Sequence, residues 1–309
     1  MMVVVGGKVI FSYGDVTENV RIASCRKSLL STLYGRYVDD GVINLDTTIG
    51  QLGIDEDPLS GADKNGVVPA DGGVLLPIEK QATIRHLLQA RSGVYHLASN
   101  DGDDHAKAPA RGSQKPGTYY LYNNWDFNCA GAVFEQLTGK NIYIAFRDDI
   151  ATPIGMQDYR VENQKKTGDL TASRFPAYHF WISTRDMARF AYLMLRKGNW
   201  NGTQVVSEKW VETITSTVTP RAEMNPASRR TSAFDYGYLW WIFSTEYSGY
   251  KPEVYKDGYT ATGLDGQYIT VLPALDMVIA HKNKYADDGV SMSKLTYYDL
   301  IAKIAACKE

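Results

Sequence analysis

The sequence predicts an α+β protein: a mostly antiparallel sheet flanked by helices, with a helical region inserted into it. Two observations carry the prediction. Strand-like runs lie at both ends of the 309 residues, and helical periodicity fills the middle. Segregated strands and helices make an antiparallel sheet with helices grouped beside it, where strict β-α alternation would make a parallel one. Residues 1–23 and 205–309 are expected to build the sheet region from the two termini, with 24–204 mainly helical.

Val3-Val4-Val5, a Gly6-Gly7 turn and Lys8 to Tyr13 read as strand, tight turn and strand. Asn19-Val20-Arg21-Ile22 is a further short strand-like run. Leu29, Leu30, Leu33, Tyr37 and Val38 then recur at helical spacing until Asp39-Asp40-Gly41 stops them. Residues 51–77, rich in Gly, Asp and Pro, read as loop. A helix is expected from about Ile78 to Ala90, and a polar loop over 99–117 of the length that forms lids and rims. Asn124 to Gly139 and Ile142 to Ile150 read as two more helices. Ser183-Thr184-Arg185-Asp186 reads as a capping box opening a helix with Met187, Phe190, Ala191, Met194 and Leu195 on one face. From Tyr236 the character changes. Tyr236–Ile242, Gln267–Leu272 and Met277–His281 read as strands, and 293–307 as a terminal amphipathic helix.

Composition excludes more than it names. The chain has 33 Lys+Arg against 35 Asp+Glu, a net charge of −2, which argues against a nucleic-acid partner. Cys25, Cys129 and Cys307 show no CxxC spacing, so neither a disulfide framework nor a zinc ribbon is expected. No segment reaches the length of a membrane span, and Met1-Met2-Val3-Val4-Val5 is too short and lacks the basic start of a signal peptide. A removed leader would leave no trace, so cytoplasmic and periplasmic locations both stay open. The 21 Tyr and 6 Trp exceed what a core usually needs.

Three short patterns could carry chemistry. Ser24-Cys25-Arg26-Lys27 is an S-x-x-K, and serine and lysine three residues apart share one helical face. The positive helix end favours negative charge near the serine oxygen, and a lysine of depressed pKa can take the hydroxyl proton. Taken alone, a polar helix start explains Ser24 as well, and it explains the second copy, Ser291-Met292-Ser293-Lys294, better. Tyr122-Asn123-Asn124 is the single Y-x-N. A tyrosine beside a lysine can exchange protons with a serine and a leaving group, and an asparagine can hold a carbonyl or the lysine. A turn tyrosine with Asn124 as N-cap is the structural alternative. Ala261-Thr262-Gly263 runs into a late strand, with glycine where a backbone must approach a ligand. Lys166-Thr167-Gly168 lies in a polar stretch without a strand and reads as a surface loop.

In that order, Ser24/Lys27, Tyr122/Asn124 and Ala261-Thr262-Gly263 resemble the three motifs of the serine β-lactamase and penicillin-binding superfamily. Within it the chain is most similar to class C β-lactamase-like hydrolases: esterases, D-aminopeptidase-type amidases and aminohexanoate-dimer hydrolases. The similarity covers nearly the whole chain, including His86 to Val94, Pro116 to Gly131, Ile154-Gly155-Met156, Ser183 to Leu195 and Gly266 to Pro273. It implies a β-lactamase/DD-peptidase-like fold and cleavage of an ester or amide of a small molecule, without cofactor or metal. It implies Ser24 as acylated nucleophile, Lys27 as its proton acceptor and Tyr122 as proton shuttle. Asn124 would orient the substrate beside Thr262 and Gly263, and the N–H groups of Ser24 and Leu264 would form an oxyanion hole.

Two departures qualify the resemblance. Ala261 stands where β-lactamases and transpeptidases carry Lys or His, a group that grips a substrate carboxylate. A substrate without that carboxylate demand is therefore favoured over a β-lactam or a D-amino-acid peptide. Ser24 also lies early, so a first helix that relatives carry is expected to be missing. A catalytically silent acyl-binding or sensor domain is the rival of another class. His86, His96, His105, His179 and His281 show no metal spacing, though His179 could line the pocket. Asp101-Gly102-Asp103-Asp104 reads as a solvated rim and Cys25 as a packing residue. Tyr119, Tyr120, Tyr122, Trp125, Tyr178, Trp181, Tyr259 and Tyr268 are expected to wall an apolar, aromatic acyl site.

Overall fold

The computed structural model describes residues 1–102, 104–249, 251–284 and 292–307, so Asp103 and Ser291 lie outside the described residues. The chain opens with β1 (Met2–Val5) and β2 (Lys8–Ser12), the hairpin expected from Gly6-Gly7. The short strand β3 (Val20–Arg21) leads into α1 (Cys25–Asp39). The helix expected over 78–90 is shorter: a 3-10 turn at Glu79–Gln81, then α2 (Ile84–Leu88). Ala82 leaves helical geometry with ψ of 135°, because Thr83 starts a new helix whose cap its side chain and the His86 ring close reciprocally.

Next come α3 (Asn124–Thr138), which ends on Gly139 in the left-handed conformation, and α4 (Ile142–Phe146). The helix expected to reach Ile150 continues beyond Phe146 as a π turn, Arg147–Ala151. Lys166-Thr167-Gly168 departs from expectation. Lys165–Thr167 is a strand, β4, paired with β5 (Ala177–His179). The strand β6 (Trp181–Ile182) pairs with β3 and precedes α5 (Thr184–Leu195). Only half of the expected capping box forms: Ser183 Oγ accepts from the Asp186 N–H at 3.2 Å. The Asp186 carboxylate instead accepts from the N–H groups of Gln157, Asp158 and Tyr159 at 2.8, 2.7 and 3.0 Å.

After the small hairpin β7 (Asn199–Trp200) and β8 (Thr203–Gln204) comes α6 (Glu208–Ile214). The single strand expected over 236–242 is a hairpin, β9 (Phe234–Tyr236) and β10 (Trp241–Phe243). Leu239, at φ of 61°, turns the chain between them. A short α7 (Pro252–Tyr255) precedes β11 (Tyr259–Gly263), β12 (Gln267–Leu272), β13 (Met277–His281) and the terminal α8 (Lys294–Ala306). Ala261-Thr262-Gly263 ends β11 and leads through a tight turn into β12, the late strand it was expected to enter.

Seven strands form one antiparallel sheet in the order β2-β1-β13-β12-β11-β10-β9, so both chain ends contribute to it. Helices cover both faces. Tyr259 on β11 donates to Met194 O of α5 at 3.0 Å. From the other face, Thr270 Oγ1 lies 2.8 Å from Thr260 Oγ1 and 2.7 Å from the Tyr297 hydroxyl of α8, whose ring stacks on Tyr268 at 3.9 Å. Double coverage is why β12 and β13 are buried along their whole length and read as near-continuous apolar runs.

From Cys25 to Gly35 helix α1 is buried on all sides, polar residues included. Its hydroxyls are therefore spent on backbone: Ser28 and Ser31 donate to the carbonyls of Leu239 and Tyr238, each at 2.6 Å, and Thr32 donates to Ser28 O at 2.9 Å. These bonds fasten the β9–β10 turn to the helix that carries Ser24. Where α1 meets α6, a Cβ at Gly35 would stand 2.3 Å from Trp210 Cδ1, and the Trp210 indole donates to Ser31 O at 2.9 Å. Gly35→Ala must push that indole off its acceptor. Urea unfolding is expected to register a loss of about 1–3 kcal/mol, where an open helical site would gain from the same change.

Candidate active site

Ser24 stands where the chain turns from β3 into α1. Ala23, just before it, holds a φ of 46°, a left-handed conformation that costs an L-residue about 1 kcal/mol or more. Both neighbours enforce the turn. Ile22 donates to Phe180 O at 3.0 Å, and the end of β11 closes from the opposite side. A Cβ on Gly263 would lie 2.5 Å from Ile22 O and 3.2 Å from Ala23 Cβ, so this approach requires glycine. Ser24 is already helical, at φ −70° and ψ −9°, and its hydroxyl caps no backbone N–H. The hydroxyl is left to Lys27.

Lys27 is 2% exposed. Its Nζ lies 3.1 Å from Ser24 Oγ, 2.6 Å from the Tyr122 hydroxyl and 2.8 Å from Asn124 Oδ1, and packs over the rings of Tyr122 and Phe127 at 4.2 and 4.5 Å. Burial, aided by the neighbouring Arg26 charge, holds this amine well below the ordinary lysine range. A neutral amine has two N–H groups and one lone pair. It fits the three oxygens by donating to Asn124 Oδ1 and to one hydroxyl while accepting from the other. Burial also pushes Tyr122 up to about 12, partly offset by its hydrogen bond with Ser24. With its proton lost, the amine is a proton acceptor within hydrogen-bond reach of a protonated phenol and a serine hydroxyl.

Of the two roles the sequence left open to Asn124, the structure shows the hold on the lysine. The Asn124 Oδ1 faces Lys27, and its Nδ2 donates to Asn100 O at 2.8 Å, so both ends of the amide are engaged within the protein. The helix cap expected of it falls to Asn123, whose Oδ1 accepts from the Trp125 N–H at 3.0 Å. Among the described residues, neither the Ser24 nor the Leu264 backbone N–H donates to a protein acceptor. A pair of free N–H groups beside a hydroxyl suits a developing oxyanion.

These groups face a cavity of about 620 Å³, within the range of small-molecule sites. Ser24, Tyr122, Asn124, Thr262, Gly263 and Leu264 line it; Ala261 does not, being wholly buried in β11. The expected aromatic wall is corrected. Of the eight residues named, only Tyr122 reaches the cavity, joined by Trp241, whose ring stacks on it at 5.4 Å. Tyr119 and Trp181 are half-buried away from it, and the other five serve the core: Tyr120 packs edge-on to Tyr236, Trp125 donates to buried Glu56 at 2.8 Å, and Tyr268 stacks on Tyr297. Asp104 is buried rather than a solvated rim, and its Oδ2 accepts from Arg229 Nε and Nη2 at 2.9 and 2.8 Å. Thr167, from the K-T-G set aside as a surface loop, reaches the lining.

The sequence reading missed the cations. Arg21, Arg26, Arg229 and Lys294 line the cavity against two carboxylates, Asp101 and Asp104, among the described residues. Arg26 is 1% exposed, lies 4.3 Å over the Tyr178 ring, and donates from Nη2 to Asn128 Oδ1 at 2.8 Å. Its place inside the S-x-x-K was a visible signal. Lys294 is the lysine of the second S-x-x-K, which the sequence reading set aside as a polar helix start, whereas Arg229 comes from a distant segment that carries no motif. His179 lines the cavity as expected, pushed down to about 3 by burial and the nearby Arg26, and therefore neutral. No helix is long and apolar enough to cross a membrane, and no group of three potential metal ligands stands together among the described residues.

The sequence model of the β-lactamase family matches residues 1–285, and the chain belongs to that family. Among solved structures it is similar to a protein provisionally described as a 6-aminohexanoate-dimer hydrolase from Bacillus anthracis (19% identity, TM-score 0.65, covering 99% of this chain and 78% of that one). It is also similar to a family VIII carboxylesterase (15% identity, TM-score 0.64, 100% and 91% covered). A third is an octameric penicillin-binding protein homologue from Pyrococcus abyssi (16% identity, TM-score 0.64, 99% and 72% covered). The fold is thus the β-lactamase/DD-peptidase-like α+β fold.

The depressed Lys27 pKa has a consequence for stability. Between its folded value and the ordinary 10.5, the unfolded chain binds a proton that the folded protein does not, so folding stability rises with pH there. In urea titrations from pH 8 to 10, Lys27→Met is expected to lose a positive slope of up to about 1.4 kcal/mol per pH unit relative to the parent. Parallel slopes would mean that Lys27 is charged in the folded protein.

Proposed function

We propose, from membership of the β-lactamase family, that this protein is a serine hydrolase cleaving a carboxylic ester or amide of a small molecule through an acyl-Ser24 intermediate. One observation carries the reading: the buried amine of Lys27 within hydrogen-bond reach of both the Ser24 and the Tyr122 hydroxyls. Neutral Lys27 takes the Ser24 proton as Oγ attacks the carbonyl carbon, and the oxyanion is met by the N–H groups of Ser24 and Leu264. When the bond to the leaving group breaks, Tyr122 gives that group a proton and regains one from the Lys27 ammonium 2.6 Å away. In the second half, water loses a proton through the same pair and attacks the acyl carbon. The acid leaves, and Ser24 Oγ recovers its proton.

Asn124 serves here as a positioning residue, fixing the lone-pair direction of Lys27. Ala261 leaves the third motif without the basic side chain by which β-lactamases and transpeptidases hold their substrates, which supports esters and simple amides not gripped at that motif. The presence of serine, amine and phenol together weighs against a silent acyl-binding domain.

With p-nitrophenyl butyrate, the parent is expected to release p-nitrophenol and Ser24→Ala is not; a fluorophosphonate should add its mass to the parent alone. Tyr122→Phe is expected to lower kcat about 10²–10⁴-fold, the usual scale for a lost general acid or base. Turnover surviving in Ser24→Ala sinks the proposal. Labelling without turnover would turn it toward an acyl sensor, and a chromogenic cephalosporin outpacing the ester would turn it toward β-lactams.

A further inference from the structure

The cavity holds more positive charge than the acyl-transfer chemistry uses. Lys27 and the free N–H groups suffice for that chemistry, yet Arg229 and Lys294 stand on the same wall, over the Trp241 indole at 5.8 and 5.5 Å from its ring centre. Arg229 also lies 5.9 Å from the Tyr122 ring, which ties this wall to the reacting groups. Asp104 satisfies Nε and Nη2 of Arg229 through a single oxygen; Nη1 has no hydrogen bond among the described residues. Lys294 has neither a carboxylate nor a hydrogen-bond partner among the described residues. The other cavity carboxylate, Asp101, is taken by His105, 2.9 Å away. Desolvation and the neighbouring Arg229 charge push Lys294 down to about 8, the cost of two cations sharing one counterion. Such an uncompensated pair in a low-dielectric wall draws an anion.

We propose that Arg229 and Lys294 form a subsite for a substrate carboxylate, so that the preferred substrate is an ester or amide carrying one free carboxylate, such as a half-ester of a short dicarboxylic acid. This rests on the hydrolase reading for the chemistry but not for the binding. One unshared guanidinium N–H₂ and one ammonium suit a planar monoanion. The subsite also answers Ala261: the cationic grip absent from the third motif is supplied from residues 229 and 294.

Two matched ester pairs test it: mono-p-nitrophenyl glutarate against p-nitrophenyl valerate, with the charge on the acyl side, and 4-carboxyphenyl butyrate against phenyl butyrate, with it on the leaving side. The parent is expected to favour the anionic member of at least one pair at least tenfold in kcat/KM. That ratio should fall about tenfold in Arg229→Gln and in Lys294→Gln, and should be kept in Arg229→Lys. Lys294→Gln breaks no ion pair, so it decides the matter if Arg229→Gln misfolds for want of a partner to Asp104. Ratios near one in both pairs, or ratios unmoved by Lys294→Gln, overturn the subsite while leaving the hydrolase intact. If no ester turns over, calorimetric titration of Ser24→Ala with monomethyl glutarate and with dimethyl glutarate decides. Binding of the monoanion alone, lost in Lys294→Gln, upholds the subsite without the chemistry; equal or absent binding overturns it.

Discussion

The site depends on keeping one amino group out of water. A lysine buried in an apolar interior must either lose its proton or find compensation, because an unpaired buried charge costs several kcal/mol. Here the proton is lost, and the neutral amine is matched by three oxygens from two parts of the chain: Ser24 at the start of α1, and Tyr122 and Asn124 from the entry to α3. Moving either segment by an ångström breaks at least one of these bonds. The surrounding architecture holds that distance. Tyr34 of α1 donates to Ala130 O of α3 at 2.6 Å, and Asn124 Nδ2 fastens the 99–117 loop to the same point through Asn100 O. The loop, the two helices and the amine form one connected network.

A second constraint meets the first at Ser24. The left-handed Ala23 and the side-chain-free contact at Gly263 are both unfavourable in isolation. Together they press the end of β11 against the start of α1, so that Ser24 and Leu264 line one cavity. Hydrogen bonds elsewhere offset the strain, notably from Ile22 to Phe180 O and from Ser28 and Ser31 to the Tyr238–Leu239 turn. This is pre-organisation in a physical sense: the donors are left unpaired by the fold instead of being freed when a ligand arrives.

The fold was largely legible because its strongest signals are local or periodic. The Gly6-Gly7 hairpin, the apolar runs of β12 and β13 and the Asn124–Gly139 helix all follow from turn chemistry and alternation. What escaped was set by tertiary contacts. Residues 236–242 look like one strand because aromatic and apolar residues run through them. Leu239 breaks that run because α1 offers two hydroxyls to its turn. The motif residues that meet around Lys27 were legible because each carries its own local pattern. The cavity wall was not. Of the aromatic residues close in sequence to Tyr122, Tyr120 and Trp125 turn into the core and none joins it at the cavity, a split no one-dimensional pattern fixes. Buried Glu56, which holds Trp125 in the core, carried no signal at all.

The charge on the cavity wall shows how function can migrate within a fold. A grip on an anion needs a positive group at a given point in space, not at a given place in the chain. In β11 position 261 shares the face of Tyr259 and is wholly buried, so a cation there would be stranded away from water. Arg229, held by Asp104, and Lys294, at the first turn of α8, reach the cavity from outside the sheet, and Trp241 supplies an aromatic face that lowers the cost of holding them close. Their position beside the Tyr122 ring gives the arrangement a further effect. The Arg229 charge opposes part of the burial that raises Tyr122, so on the proposed reading the residue that binds the substrate carboxylate also eases proton transfer at the phenol.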